Sequence, residues 1–252
     1  MSDRPGHAVK RFWERLDRFD GYPAGVAVRV PSRVKGTAFF AASSGLWGQE
    51  PGGPPPAFPY GGVMVVGNNL DNEERYAERL AEGRQYGSAE TGTPTWRELL
   101  GLSKRVGVAP DQCFFTNIWV GLKAGGGSNT GAMAVEPGSP FDRWCQRFLC
   151  EPGQRGAPAG DRRPGSARAG VPLSRDRRSV CVDDVDELPD LDRRDAAVHA
   201  GVRLCGHTTS VVALLHPSYR RRWVAGRRYG GLTGDAAEVA MLLAAVAPGC
   251  WA

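Results

Sequence analysis

Three apolar runs in this chain end in, or contain, the side chains best suited to do chemistry. Val211-Val212-Ala213-Leu214-Leu215 runs into His216-Pro217-Ser218-Tyr219, and Val63-Met64-Val65-Val66 runs into Gly67-Asn68-Asn69-Leu70-Asp71. The third, Cys113-Phe114-Phe115-Thr116-Asn117-Ile118-Trp119-Val120, sets a polar Thr-Asn pair inside apolar text. A carboxamide presents a donor and an acceptor together, an imidazole changes its proton state near neutral pH, and a carboxylate can orient or partly deprotonate water. Short runs rich in β-branched residues read as buried, parallel strands. Loops at the carboxyl ends of such strands are where open α/β sheets build their sites. The Gly-Asn-Asn-Leu-Asp and His-Pro-Ser loops are therefore expected to face one another.

The elements that must carry these loops follow from periodicity. Residues 8–19 place Val9, Phe12, Trp13, Leu16 and Phe19 on one helical stripe, which predicts an amphipathic helix packed on the sheet. Residues 48–60, with Pro54-Pro55-Pro56, form an irregular lead-in to the first strand. A charged helix is predicted over about 72–85, and another opens at Thr93 as N-cap with Pro94 in its first turn. A Gly/Ser/Asn loop spans 124–131, and Phe141, Trp144, Cys145, Phe148 and Leu149 share a face of a helix over 141–150. From Glu151 to Arg178 the text is Arg, Gly, Pro, Ala, Asp and Ser with almost no apolar period, and it is expected to be disordered. Order returns at 198–204 and at the 211–215 strand, followed by a turn over 229–234 and a last apolar helix over 236–246.

Composition sets broad limits. At 252 residues, with 41% hydrophobic and 23% charged residues, the chain fits one soluble α/β domain carrying an insert. A formal charge of +5 and a pI near 9.0 are compatible with a polyanionic partner without requiring one. No apolar segment reaches the roughly 20 residues of a membrane span, and the start Met1-Ser2-Asp3-Arg4-Pro5 does not read as a signal peptide. A cytoplasmic protein is expected. The six cysteines, at 113, 145, 150, 181, 205 and 250, form no Cys-x-x-Cys pair. Cys145, Cys150, Cys205 and His207 do not have recognised ligand spacing, so reduced thiols and no metal are expected.

Taken in order, these motifs resemble the uracil-DNA glycosylase superfamily. Gly67-Asn68-Asn69 is similar to its first motif, Asn72-Glu73-Glu74 to the acidic residues that follow it in the bacterial four-cysteine branch, and His216-Pro217-Ser218 to its second motif. Asn117 matches the asparagine that reads the uracil edge, and the helix over 141–149 looks like the one preceding the usual third strand. The likeness covers about 61–150 and 205–230. It departs in three places. Leu70-Asp71 stands where Pro-Gly or Pro-Tyr is usual, the iron–sulfur cysteines are absent, and the third strand with its Gly-rich turn is missing between about 152 and 180. A shifted reading frame in a GC-rich gene would produce such text, and resequencing codons 151–185 tests that.

The resemblance implies a three-layer α/β/α sandwich with a central, mainly parallel four-stranded sheet. One domain would span 1–252, with a disordered or aberrant insert at 151–200. It also implies a monofunctional hydrolase of DNA repair that excises uracil, or a related deaminated base, from a flipped nucleotide. Asn117 would pair with O4 and N3–H of uracil, and Gly67 would lie beside the base. His216 would donate to O2 as negative charge develops there, and Asn69 or Asp71 would direct the attacking water. Trp96, or Phe115, would stack on the base; Ser218, Tyr219, Arg220 and Arg221 would hold DNA. No metal or cofactor is implied, and the enzyme is expected to be a monomer. Two other readings remain: a nucleic-acid-binding relative with impaired catalysis, and a small-molecule α/β enzyme, for which no Gly-x-Gly-x-x-Gly or Walker pattern speaks.

Overall fold

The computed structural model describes residues 14–29, 62–69, 71–81, 94–127, 133–154, 188–204 and 207–246. The first part of the chain contributes α1 (14–18), β1 (Ala27–Val28), β2 (Val63–Gly67), α2 (Glu73–Ala81), α3 (Pro94–Arg105), β3 (Cys113–Asn117), β4 (Leu122–Lys123) and α4 (Pro140–Gln154). The second contributes α5 (Leu188–Arg193), β5 (Val198–Leu204), β6 (His207–Val212), α6 (Arg220–Trp223), β7 (Arg228–Tyr229), β8 (Leu232–Thr233) and α7 (Gly234–Val246). None of the described helices is long and apolar enough to cross a membrane.

The strands β2 and β3 pair in parallel, in register from Val63 opposite Cys113 to Gly67 opposite Asn117. Alternation along β2 sends its side chains to two faces. Val63 and Val65 pack with Cys113 and Phe115 against Trp96 and Leu99 of α3. Met64 packs the other way, toward Phe141, Trp144, Cys145 and Phe148 of α4. Helix α3 buries Trp96, Leu99 and Leu102, three apart, and α4 buries residues three and four apart, as amphipathic helices do. Helix α4 also starts where its sequence provides a partner for loose N–H groups. Ser139 caps α4 by accepting from the Asp142 N–H at 3.1 Å, with Pro140 in the first turn. Phe19 stacks on Trp144 at 4.0 Å between centroids, which fastens the segment after α1 to α4.

In the second part, β5 and β6 form an antiparallel hairpin with one extra residue on β5 between His199 and Val202. Gly201 takes φ +71° there, the left-handed geometry that glycine admits most readily at a bulge. The apolar α7 lies on this hairpin, burying Ala237 and Met241 against Ala197, Val198 and Val212. Leu188 and Leu191 of α5 pack with Ala213 and Leu215.

Two expectations need correction. The described residues contain no central four-stranded sheet of the three-layer kind; they hold four separate two-stranded sheets, of which only β2–β3 is parallel. The 211–215 run was expected to join β2 and β3 as a parallel strand. Instead Val211 and Val212 pair with β5, and 213–216 leave the hairpin. A β-branched apolar run encodes burial, not the direction of its partner. The neighbouring 198–204 run offers a local antiparallel mate, whereas a parallel one needs a crossover of a dozen or more residues.

Other boundaries also differ. Residues 151–154 continue α4, and 188–200 hold α5 and the start of β5, while 155–187 lie outside the described residues. So do residues 8–13 of the first helix, 82–85, and Thr93. The 229–234 turn is the β7–β8 hairpin.

Candidate functional site

The first half of the site grows from the end of the parallel pair. The ladder continues one step past β3, with Ile118 N–H donating to Gly67 O at 2.8 Å and Trp119 N–H to Asn68 O at 3.0 Å. These bonds bring the Gly67-Asn68-Asn69 loop beside Asn117 at the carboxyl ends of the two strands. Asn117 is buried, and Asn69 is half-buried. Leu70 lies outside the described residues.

Asp71 is turned into local structure. It is buried, its Oδ1 accepts from the Asn72 N–H at 2.9 Å, and its carbonyl accepts from the Lys123 N–H at 2.9 Å. Asn72 then caps α2, its Oδ1 taking the Arg75 N–H at 2.8 Å. Glu73 and Glu74 fill the first turn, where carboxylates meet the positive end of the helix. The acidic run after the first motif thus builds a helix start and stitches the loop to the 125–127 turn, since Glu73 Oε2 accepts from Gly125 N–H at 3.1 Å.

The second half surrounds His216. The chain turns at Pro217–Tyr219 in a single 3-10 turn for which His216 is the cap. His216 Nδ1 lies 2.7 Å from Ser218 Oγ and accepts from the Ser218 N–H at 3.3 Å. A backbone N–H can only donate, so Nδ1 is an acceptor and the proton of the neutral ring sits on Nε2. Burial holds the imidazole below its ordinary pKa, which favours the same neutral form. Tyr219 leans on the ring at 5.6 Å. The product is a fixed, uncharged Nε2–H donor.

Helix α3 connects the halves. Its Trp96 and Leu99 seat it on β2 and β3, it packs against the 217–219 turn, and Glu98 reaches Arg220 at 3.6 Å and Arg221 at 3.7 Å. Three sequence expectations change here. Trp96 is only 4% exposed and meets Phe115 edge to face at 5.3 Å, so both candidates for stacking on a base are core. Arg220, expected to meet phosphate, is 2% exposed and paired with Glu98, Asp235 and Glu238. A guanidinium so enclosed is committed to those carboxylates. Arg221 and Ser218 remain exposed beside His216, as does Arg222, which lies 5.1 Å from the half-exposed Trp223 ring.

Sequence reasoning missed the ionic cluster beneath this turn. Arg227 grips Asp192 with two bonds of 2.9 and 3.0 Å, donates to Glu238 Oε1 at 2.8 Å, and donates to Ala213 O at 2.9 Å. The signal was present: Glu238 is the lone acid in the apolar interior of α7, and a charge there demands a partner.

Cys145 offers no nucleophile, since burial pushes its thiol up to about 12. Cys113 and Cys145 are reduced thiols, as expected, but Cys150 is disulfide-bonded. Among the described residues no three His, Cys, Asp or Glu side chains gather as a metal site would require. No family model, no curated protein and no solved structure matches this chain.

Proposed function

We propose that this protein hydrolyses the N-glycosidic bond of uracil, or a related deaminated base, in DNA. The observation that carries the reading is the pairing of Gly67 with Asn117 at the carboxyl ends of two parallel strands. That places a backbone-exposing glycine beside a buried carboxamide able to read the O4 and N3–H edge of uracil. Cytosine presents the opposite pattern and would leave polar groups unpaired. His216 supports the same reading: a neutral Nε2–H can donate to O2 as the leaving base gathers charge. Asn69, half-buried in the loop that lies beside Asn117, would orient water, while Asp71 accepts from the Asn72 N–H. The exposed Ser218 and Arg221 would engage phosphates. The partner is DNA, the form a monomer, the setting the cytoplasm, and no cofactor takes part.

The test is base release from oligonucleotides carrying uracil, hypoxanthine or xanthine. Wild-type protein should yield an abasic product from at least one. His216→Ala should lower the rate by about 10²–10³, the usual effect of losing one donor to a developing anion. Full activity in that variant would overturn the assignment. Salt-dependent DNA binding without release of any base would select the catalytically impaired relative instead.

A further inference from the structure

We propose that Glu238 is a positioning residue for His216. Its carboxylate, on α7, supplies the backbone acceptor that the chain lacks where it leaves the hairpin, and so aims the imidazole. The inference rests on the reading of His216 as the group that meets the base.

The last paired residue of β6 is Val212, and the turn begins at Pro217. Between them the main chain is held from several sides. Ala213 N–H donates to Ala197 O at 2.9 Å, Arg227 Nη2 donates to Ala213 O at 2.9 Å, and Leu215 N–H donates to Glu238 Oε1 at 2.9 Å. That last bond falls on the residue directly before His216. Glu238 itself is fully enclosed, with Arg227 on Oε1 and Arg220 on Oε2. Two guanidinium groups flank the carboxylate, and a charge-assisted bond is shorter and stronger than one to a carbonyl. Its neighbours on α7 are apolar, and an apolar residue would avoid the desolvation cost of this site. The carboxylate therefore has a task that packing cannot perform. It fixes the approach of the chain, while Ser218 fixes the ring by its Nδ1.

Glu238→Asp tests this, because it keeps the charge but withdraws it by about one carbon–carbon bond of 1.5 Å. In 15N spectra the His216 ring of wild-type protein should show the Nε2–H tautomer. In Glu238→Asp its titration should move toward that of a free histidine, and kcat for uracil release should fall about tenfold to a hundredfold with KM unchanged. Glu238→Gln keeps an acceptor for Leu215, so it should restore the His216 spectrum even if it is less stable. If Glu238→Asp does not fold, amide exchange of Leu215 in the wild type decides: strong protection supports the proposal, and exchange at the rate of an open loop overturns it. A folded Glu238→Asp protein with an unchanged His216 titration also overturns it. Should the spectra change as stated while wild type releases no base, the positioning role stands and the glycosylase reading falls.

Discussion

The two halves of the candidate site are held by different physics. Around β2 and β3 the forces are a hydrogen-bonded ladder and aromatic packing, with Phe115, Phe141 and Phe148 each 1% exposed. Around His216 the ladder has ended, and the frame is a chain of buried ions in which Arg227, Asp192 and Glu238 have side chains 3%, 2% and 0% exposed. Apolar packing tolerates changes of shape that preserve volume. An ionic frame does not tolerate loss of a member, because the partner left behind is a buried charge. The first half is accordingly robust and approximate in geometry, the second brittle and directional.

The largest expected effect separates these halves. Arg227→Met keeps much of the side-chain volume but strands Asp192 and takes one of two cations from Glu238, and should lower the unfolding free energy by about 3–5 kcal/mol. Leu99→Met, a swap of similar size in the core beside β2, should cost under about 1.5 kcal/mol. Urea denaturation of both variants measures the difference. Equal losses would break the comparison.

A middle-sized effect sharpens it through pH. The folded pKa of His216 lies below the ordinary value of 6.5. Between those two values the unfolded chain binds the proton and the folded chain does not, so stability falls as pH falls from about 6.5 toward the folded pKa. Below both values no further change comes from this group. The urea midpoint of the wild type should therefore drop more between about pH 7 and about pH 5.5 than that of His216→Asn, which lacks the titrating ring. Parallel declines would mean that the turn does not enclose the imidazole. The same lowered pKa favours the neutral ring just below pH 6.5, so the proposed base release should persist there.

What the sequence made legible divides along the same line. Strands β2 and β3 and helix α4 follow from periodicity and local residue chemistry, because each is decided by nearby residues. The pairing of β6 was not legible, since Val211 and Val212 would suit either a parallel or an antiparallel partner. Arg220 was misread for a related reason. It stands in the run Arg220-Arg221-Arg222, which looks like a uniform cationic patch, yet one helical position faces Glu238 while its neighbours face solvent. Trp96 likewise gives no sign in sequence of whether it meets a base or Phe115. Long-range partners decided every one of these, and a single sequence does not print them.

The smallest expected effect marks where the ionic frame reaches water. Arg105, on α3, pairs with Asp235, whose side chain is 47% exposed, and Asp235 also meets Arg220. The hydrogen bond from Arg105 holds the Asp235 carboxyl below its ordinary range. This contribution is present above the ordinary carboxylate pKa and is lost as pH falls through the lower folded value. Water and salt screen so exposed a pair, so Arg105→Ala should cost no more than about 1 kcal/mol. The loss should shrink further between about 0.1 and 1 M salt, as the screening length contracts from about 10 to 3 Å. Arg227→Met should show almost no such salt dependence, because no mobile ion reaches its partners. If both variants respond to salt alike, depth of burial is not what distinguishes the rim of this cluster from its centre, and the brittleness assigned to the His216 half loses its physical basis.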